Sequence, residues 1–148
     1  APSWRSVTLI ELANTRAQLS PEQFRLAYHI VSEMDRATRT AEALRQRNWC
    51  LIGQEMYSSH LSLRDNFQVS CPEMDLLVEV ARELGEAEGV LGSKLTGAGF
   101  GGCTVTLVRA DSADRAAAKM TSRYFESTGT QPTAFISRPV QGARLLYP

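Results

Sequence analysis

The sequence predicts an α+β domain, with helices packed on one face of a mostly antiparallel sheet and a helical segment in front of it. Three observations carry this expectation. Apolar residues recur at three- and four-residue spacing through most of the chain up to Leu84. β-branched runs then take over at Gly89–Thr96 and Cys103–Val108. The second half therefore reads helix, strand, strand, helix, strand, strand, the order of an α+β layer. A length of 148 residues, 43% of them hydrophobic, is enough for one domain with a real core.

Each element has a local cause. Thr8-Leu-Ile-Glu11 has capping-box spacing and starts a short helix reaching about Leu19. Ser20-Pro21 starts the next, because proline in the first turn gives up an N–H that has no partner there. Phe24, Ala27, Val31, Met34, Thr38, Ala41 and Leu44 form its apolar stripe. A shorter helix follows Asn48, with Leu51, Ile52, Met56 and Leu63 inward, and ends near Asp65-Asn66. Ser70-Cys-Pro-Glu73 reads as a second capping box, so Met74, Leu77, Val78, Ala81 and Leu84 share one buried face until Gly85 stops the helix. After the two strands, Asp111-Ser112 caps a helix through about Phe125, closed by Gly129 and Pro132. Thr133–Ser137 and Ala143–Tyr147 read as two last strands around Gly142.

Composition narrows the function. Sixteen Lys and Arg balance sixteen Asp and Glu, so the chain carries no electrostatic footprint for nucleic acid or for an anionic membrane. The Val/Leu-rich strands also lack the paired aromatics of an RNA-binding sheet. No apolar stretch approaches the ~20 residues that span a bilayer, and Ala1-Pro-Ser-Trp4 has no signal-peptide character. Cys50, Cys71 and Cys103 are odd in number with no C-x-x-C spacing, which argues against a disulfide framework or zinc and for a reducing, cytoplasmic setting. No metal site and no catalytic group is read from the chain.

The most informative stretch is Lys94–Cys103, KLTGAGFGGC, where Gly97, Gly99, Gly101 and Gly102 mark backbone that approaches something closely. Such a run can turn its N–H groups inward as an anion-binding concavity, and phosphate is the natural guest. Gly97, Gly99 and Gly102 formally match G-x-G-x-x-G, but a strand follows rather than the helix a dinucleotide fold needs. A Walker A loop fails as well, since Gly102 is followed by Cys103 and not by Lys. An ordinary hairpin needs only one or two glycines, so more than a tight turn is indicated.

Leu95-Thr-Gly-Ala-Gly-Phe-Gly-Gly102 resembles the third, C-terminal glycine-rich motif of the GHMP small-molecule kinases, and its extension through Leu107 resembles galactokinases in particular. Phe24–Leu44, with His29, Glu33 and Arg36, is similar to the long helix of that family. Ser59–Arg64 through Val69–Asp75 is similar to a second signature. The family's N-terminal G-E-H and P-x-x-x-G-L-S-S-S strings are absent, so the resemblance covers the C-terminal domain alone.

The resemblance implies a ferredoxin-like C-terminal domain of a sugar kinase that phosphorylates the anomeric hydroxyl of galactose. It implies ATP and Mg as cofactors, held mainly by a complementary N-terminal domain, with galactose and ATP bound through the complete protein. Gly97, Ala98, Gly99, Phe100, Gly101 and Gly102 then form the cofactor-binding loop, which shapes the nucleotide phosphate site beside the other domain. The catalytic groups belong to the missing part, so this chain alone is expected to be inactive. Two alternatives share the fold: a non-catalytic sugar and ATP sensor that engages a protein partner, and an N-acetylgalactosamine kinase.

The remaining polar residues have structural readings. Lys94 reads as a solvated charge at a strand end, and His29 and His60 as structural histidines in helical apolar patterns. The three cysteines read as small buried hydrophobes. Arg64-Asp65 reads as a local pair, and Met34 and Met56 as core residues.

Overall fold

A computed structural model describes residues 3–140 and 142. Besides short 3₁₀ and π turns, the described residues form five α-helices and one hairpin: α1 (Leu9–Asn14), α2 (Pro21–Arg45), α3 (Trp49–Ser62), α4 (Pro72–Leu84), β1 (Val90–Thr96), β2 (Cys103–Val108) and α5 (Ala113–Thr128). The α+β order is the expected one. β1 and β2 pair antiparallel from Val90↔Val108 to Thr96↔Cys103, with a bulge between Val90 and Gly92. The Ser93 and Thr106 hydroxyls bond across the pair at 2.9 Å.

Caps set the helix starts. Thr8 and Glu11 close a reciprocal capping box on α1, and Ser20 and Gln23 close one on α2 with Pro21 in the first turn. α1 is shorter than expected: it ends at Asn14, where the Thr15 hydroxyl donates to the Leu12 carbonyl, and a separate 3₁₀ turn covers Arg16–Gln18. The second expected capping box does not form. α4 begins at Pro72 with Cys71 as its cap residue, which leaves Ser70 outside the helix, where its hydroxyl donates to Asp75 at 2.5 Å. Ser112 likewise makes no capping bond; its hydroxyl donates to Asp111 at 3.0 Å.

Two clusters form the core. Val80, Ala81, Leu84, Val90, Ala116 and Met120 join α4 and α5 to the start of β1. Leu12, Ala27 and Val31 join α1 to α2. The stripe read along α2 is buried only in its first half; Thr38, Ala41 and Leu44 are exposed. The helix turns a second face, with His29, Ser32 and Ala43, inward instead. Polar residues can occupy that face because each finds a partner there, as described below.

The Thr133–Ser137 strand does not form, and the described sheet has two strands. Strand propensity measures fit to a half-buried pleated surface, and this segment lies on none: Phe135 is 89% exposed. The second expected strand, Ala143–Tyr147, lies outside the described residues.

α3 runs along β1 so closely that two glycines define the contact. A Cβ on Gly53 would stand 1.9 Å from the Leu91 carbonyl oxygen, and one on Gly92 would stand 2.4 Å from the Gly53 Cα. This brings His60 of α3 against the end of β1, where the glycine loop begins.

Candidate functional site

The loop between β1 and β2 is built almost wholly in the left-handed half of backbone space. Gly97, Gly99, Phe100, Gly101 and Gly102 have φ of 97°, 92°, 60°, 127° and 106°. Phe100 is the exception to glycine, and its ring projects into solvent with 77% of the residue exposed. The tip of the loop is tethered by a 2.6 Å hydrogen bond from the Phe100 N–H to the Val69 carbonyl. Gly99 is pressed against the same residue: a Cβ there would lie 2.6 Å from both Val69 Cβ and Val69 O. The close approach foreseen for this glycine is thus to a neighbouring chain segment. Gly97, Gly101 and Gly102 face open space. Among the described residues, the N–H groups of Gly97, Ala98, Gly99, Gly101 and Gly102 donate to no protein acceptor.

The end of β1 is held from below. The Leu95 N–H donates to His60 Nδ1 at 3.3 Å, which sets the imidazole as the Nε2–H tautomer. Val69 is held through the turn that precedes it, Leu63–Phe67, a π-helical continuation of α3. Arg25 of α2 donates to the Asn66 carbonyl, His29 Nδ1 meets the Ser62 hydroxyl at 3.0 Å, and the His29 ring stacks on Phe67 at 4.5 Å. Gln68 then reverses the chain in the left-handed conformation at φ 58°.

Lys94 is not the solvated edge charge its position suggested. Its ammonium donates to Ser59 Oγ at 2.7 Å and lies 3.8 Å from Glu33. Ser59 donates to Glu33 at 2.7 Å, and Arg36 pairs with Glu33 at 2.5 Å. Burial opposes ionisation of Glu33, but the bonds from Ser59 and Arg36 outweigh it and hold the carboxyl below its ordinary range. Lys94 therefore ties β1 to α2 and α3 rather than facing the loop's mouth. Cys103 and Cys50 are exposed and Cys71 is half-buried, against the expectation of buried thiols; Cys103 sits on the outward side of the first position of β2. Arg64 and Asp65 do pair, at 2.7 Å.

His29 and His60 are both buried, and burial lowers the pKa of each despite the nearby carboxylates Glu33 and Asp75. An unfolded histidine takes up a proton near about pH 6.5, whereas these two do so only at lower pH. Stability should be level above neutrality and fall as the pH drops below about 6.5, where the unfolded chain binds protons that the folded chain refuses. Urea midpoints at pH 7.5 and 5.5 read this directly. A midpoint that holds or rises on acidification would remove the neutral-histidine assignment.

What the loop can hold follows from its donors. Unpaired N–H groups suit phosphate oxygens. They do not suit a cation, and among the described residues no group of three or more His, Cys, Asp or Glu is placed to bind a metal. A separate groove of about 630 Å³ lies between the N-terminal turn and α2, lined by residues such as Val7, Ile10, Val31 and Met34, and contains no loop residue. Among the described residues no helix is long and apolar enough to cross a membrane.

Sequence reasoning missed Val69, Asp75 and Gly53 as parts of this arrangement. The Val69–Asp75 string stands out as a signature, yet its serine has the spacing of a helix cap and instead bonds Asp75. Gly53 had a signal of its own, since a glycine in mid-helix costs about 1 kcal/mol against alanine and is retained for a packing reason.

Comparison with known proteins places the chain in a family. The family model described as GHMP kinases C terminal matches residues 40–127. Galactokinase of Bos taurus is 45% identical over 145 residues, 98% of this chain and 35% of that protein. Galactokinase of Homo sapiens is 44% identical over 97% of this chain and 35% of its own length. Galactokinase of Bacillus subtilis strain 168 is 44% identical over 82% of this chain. The crystal structure of Lactococcus lactis galactokinase complexed with galactose superposes with a TM-score of 0.81 at 32% identity, covering 88% of this chain and 33% of that one. The chain spans about a third of the length of the curated relatives it matches.

Proposed function

The chain belongs to the GHMP kinases through their C-terminal domain, and on that premise we propose that it is the C-terminal domain of a galactokinase, which transfers the γ-phosphoryl of ATP to the anomeric hydroxyl of galactose. The observation that carries the reading is the loop Gly97–Gly102, an arc of backbone at positive φ everywhere but Ala98, whose N–H groups, with one exception, have no acceptor in the described protein. Phosphoryl transfer depends on positioning and charge stabilisation more than on covalent chemistry, and preset N–H dipoles supply both without a general base. Gly97, Ala98, Gly99, Phe100, Gly101 and Gly102 shape the site of the nucleotide phosphates in a supporting role. Galactose, most ATP contacts, Mg and the groups acting on the sugar hydroxyl belong to a complementary N-terminal domain. Three free cysteines, two of them exposed, fit a reducing cytoplasmic setting.

The division of labour is testable. The purified chain should form no galactose phosphate from ATP, and mixing it with the complementary N-terminal domain should restore turnover where the two associate. Robust turnover by the chain alone, tracking the protein through purification, would overturn the assignment of catalytic groups to the other domain.

A further inference from the structure

The glycine loop is held at two separated points, and both holds lead to one carboxylate. At the root of the loop, the Leu95 N–H donates to His60 Nδ1 at 3.3 Å, and the other ring nitrogen, Nε2, stands 3.1 Å from Asp75 Oδ1. That second contact is short but poorly directed, and among the described residues Nε2 finds no well-aligned acceptor. At the tip, the Phe100 N–H donates to the Val69 carbonyl at 2.6 Å. The Val69 carbonyl shares a rigid peptide plane with the N–H of Ser70. Ser70 in turn donates its hydroxyl to the same Asp75 Oδ1 at 2.5 Å.

His60 is 2% exposed and Asp75 sits in the first turn of α4, whose Met74 and Val78 are buried, so the hub rests on packed structure. We propose that Asp75 is a positioning residue that sets the glycine loop through two arms, His60 to Leu95 at the root and Ser70–Val69 to Phe100 at the tip. The arms share an oxygen but act on opposite ends of a short loop, so the carboxylate fixes both where the loop leaves β1 and how far its tip leans toward Val69. Its consequence for turnover rests on the loop's role at the nucleotide phosphates; the positioning itself does not.

Amide hydrogen exchange in the complete protein separates the arms. Asp75→Ala should speed exchange at both Leu95 and Phe100 by roughly fivefold or more, the scale of one lost intramolecular hydrogen bond. Ser70→Ala should do so at Phe100 and leave Leu95 unchanged. His60→Gln keeps a donor toward Asp75 but withdraws the Nδ1 acceptor, and should speed Leu95 and leave Phe100 unchanged. Asp75→Asn retains an oxygen for both arms and should recover most of the protection. Met120 in α5 reports general loosening and should stay constant.

The proposal is overturned if Asp75→Ala leaves either loop amide unchanged, or if Met120 accelerates in step with both. Should Asp75→Ala not fold, Asp75→Ser takes its place in the same measurement with the same expectation at both amides. Turnover distinguishes the two readings: the expected exchange pattern with unchanged kcat and KM for ATP in Asp75→Ala keeps the positioning role and removes the loop from the nucleotide site.

Discussion

Gly99→Val in the full-length protein is expected to lower turnover by about a hundredfold, the scale that a displacement of about an ångström costs a reaction needing alignment. Gly99 has φ 92°, and a Cβ there would stand 2.6 Å from two atoms of Val69. A branched side chain cannot occupy that space, so the loop must move away from Val69 and lengthen the 2.6 Å bond that holds Phe100. Backbone strain of roughly 1 to 3 kcal/mol and one weakened hydrogen bond of about 1 kcal/mol bound the expected loss of stability, which leaves a folded protein. Ala98→Gly is the comparison, because it changes the same loop without adding an atom to it or placing a Cβ at a positive-φ position. The measurements are turnover at saturating ATP and galactose, and the unfolding midpoint. Wild-type turnover in folded Gly99→Val protein would reduce the loop to a connector.

Gly53→Ala should cause the largest loss of stability of any single methyl addition considered, about 3 kcal/mol or more. The added carbon would fall 1.9 Å from the Leu91 carbonyl oxygen and 2.5 Å from its carbon, and both are backbone atoms at the bulge of β1 rather than the far end of a flexible side chain. For a chain of this length that corresponds to a melting temperature lower by about 10 °C. Helix propensity alone gives the opposite sign, because alanine is favoured over glycine by about 1 kcal/mol in a helix interior. Thermal unfolding therefore separates the two: a variant that melts at or above the wild type would refute the close α3–β1 contact. Gly92→Ala should behave similarly and not additively, since Gly92 and Gly53 meet at one point.

Much of the fold was legible because local signals agreed with one another. The Thr8 and Ser20 caps, the glycine stop at Gly85 and the inward face of Met74, Val78, Ala81 and Leu84 are all present. The hairpin around KLTGAGFGGC was legible too, since nothing but a turn joins two β-branched runs across four glycines. What failed depended on distant partners. Thr133–Ser137 has strand chemistry but lies on no sheet edge among the described residues. Ser70 has a cap's spacing, yet its hydroxyl goes to Asp75 because the helix starts at Pro72.

Lys94 illustrates the same limit. Its place at a strand end suggests solvent, but α2 and α3 bring Glu33 and Ser59 to it across more than thirty residues of sequence. At the site, sequence showed that the loop was special and not what it leans on. The Val69 contact and the shared Asp75 oxygen exist only once α3, α4 and β1 have met.

The role of the loop is tested most directly by following its own amides in the complete protein while nucleotide is added. The N–H resonances of Gly97, Ala98, Gly99, Gly101 and Gly102 should shift on titration with a non-hydrolysable ATP analogue and Mg, and shift little with galactose alone, because phosphate oxygens are the acceptors that suit those donors. Loop resonances that stay in place at saturating nucleotide, while the nucleotide is bound elsewhere in the protein, would contradict the account.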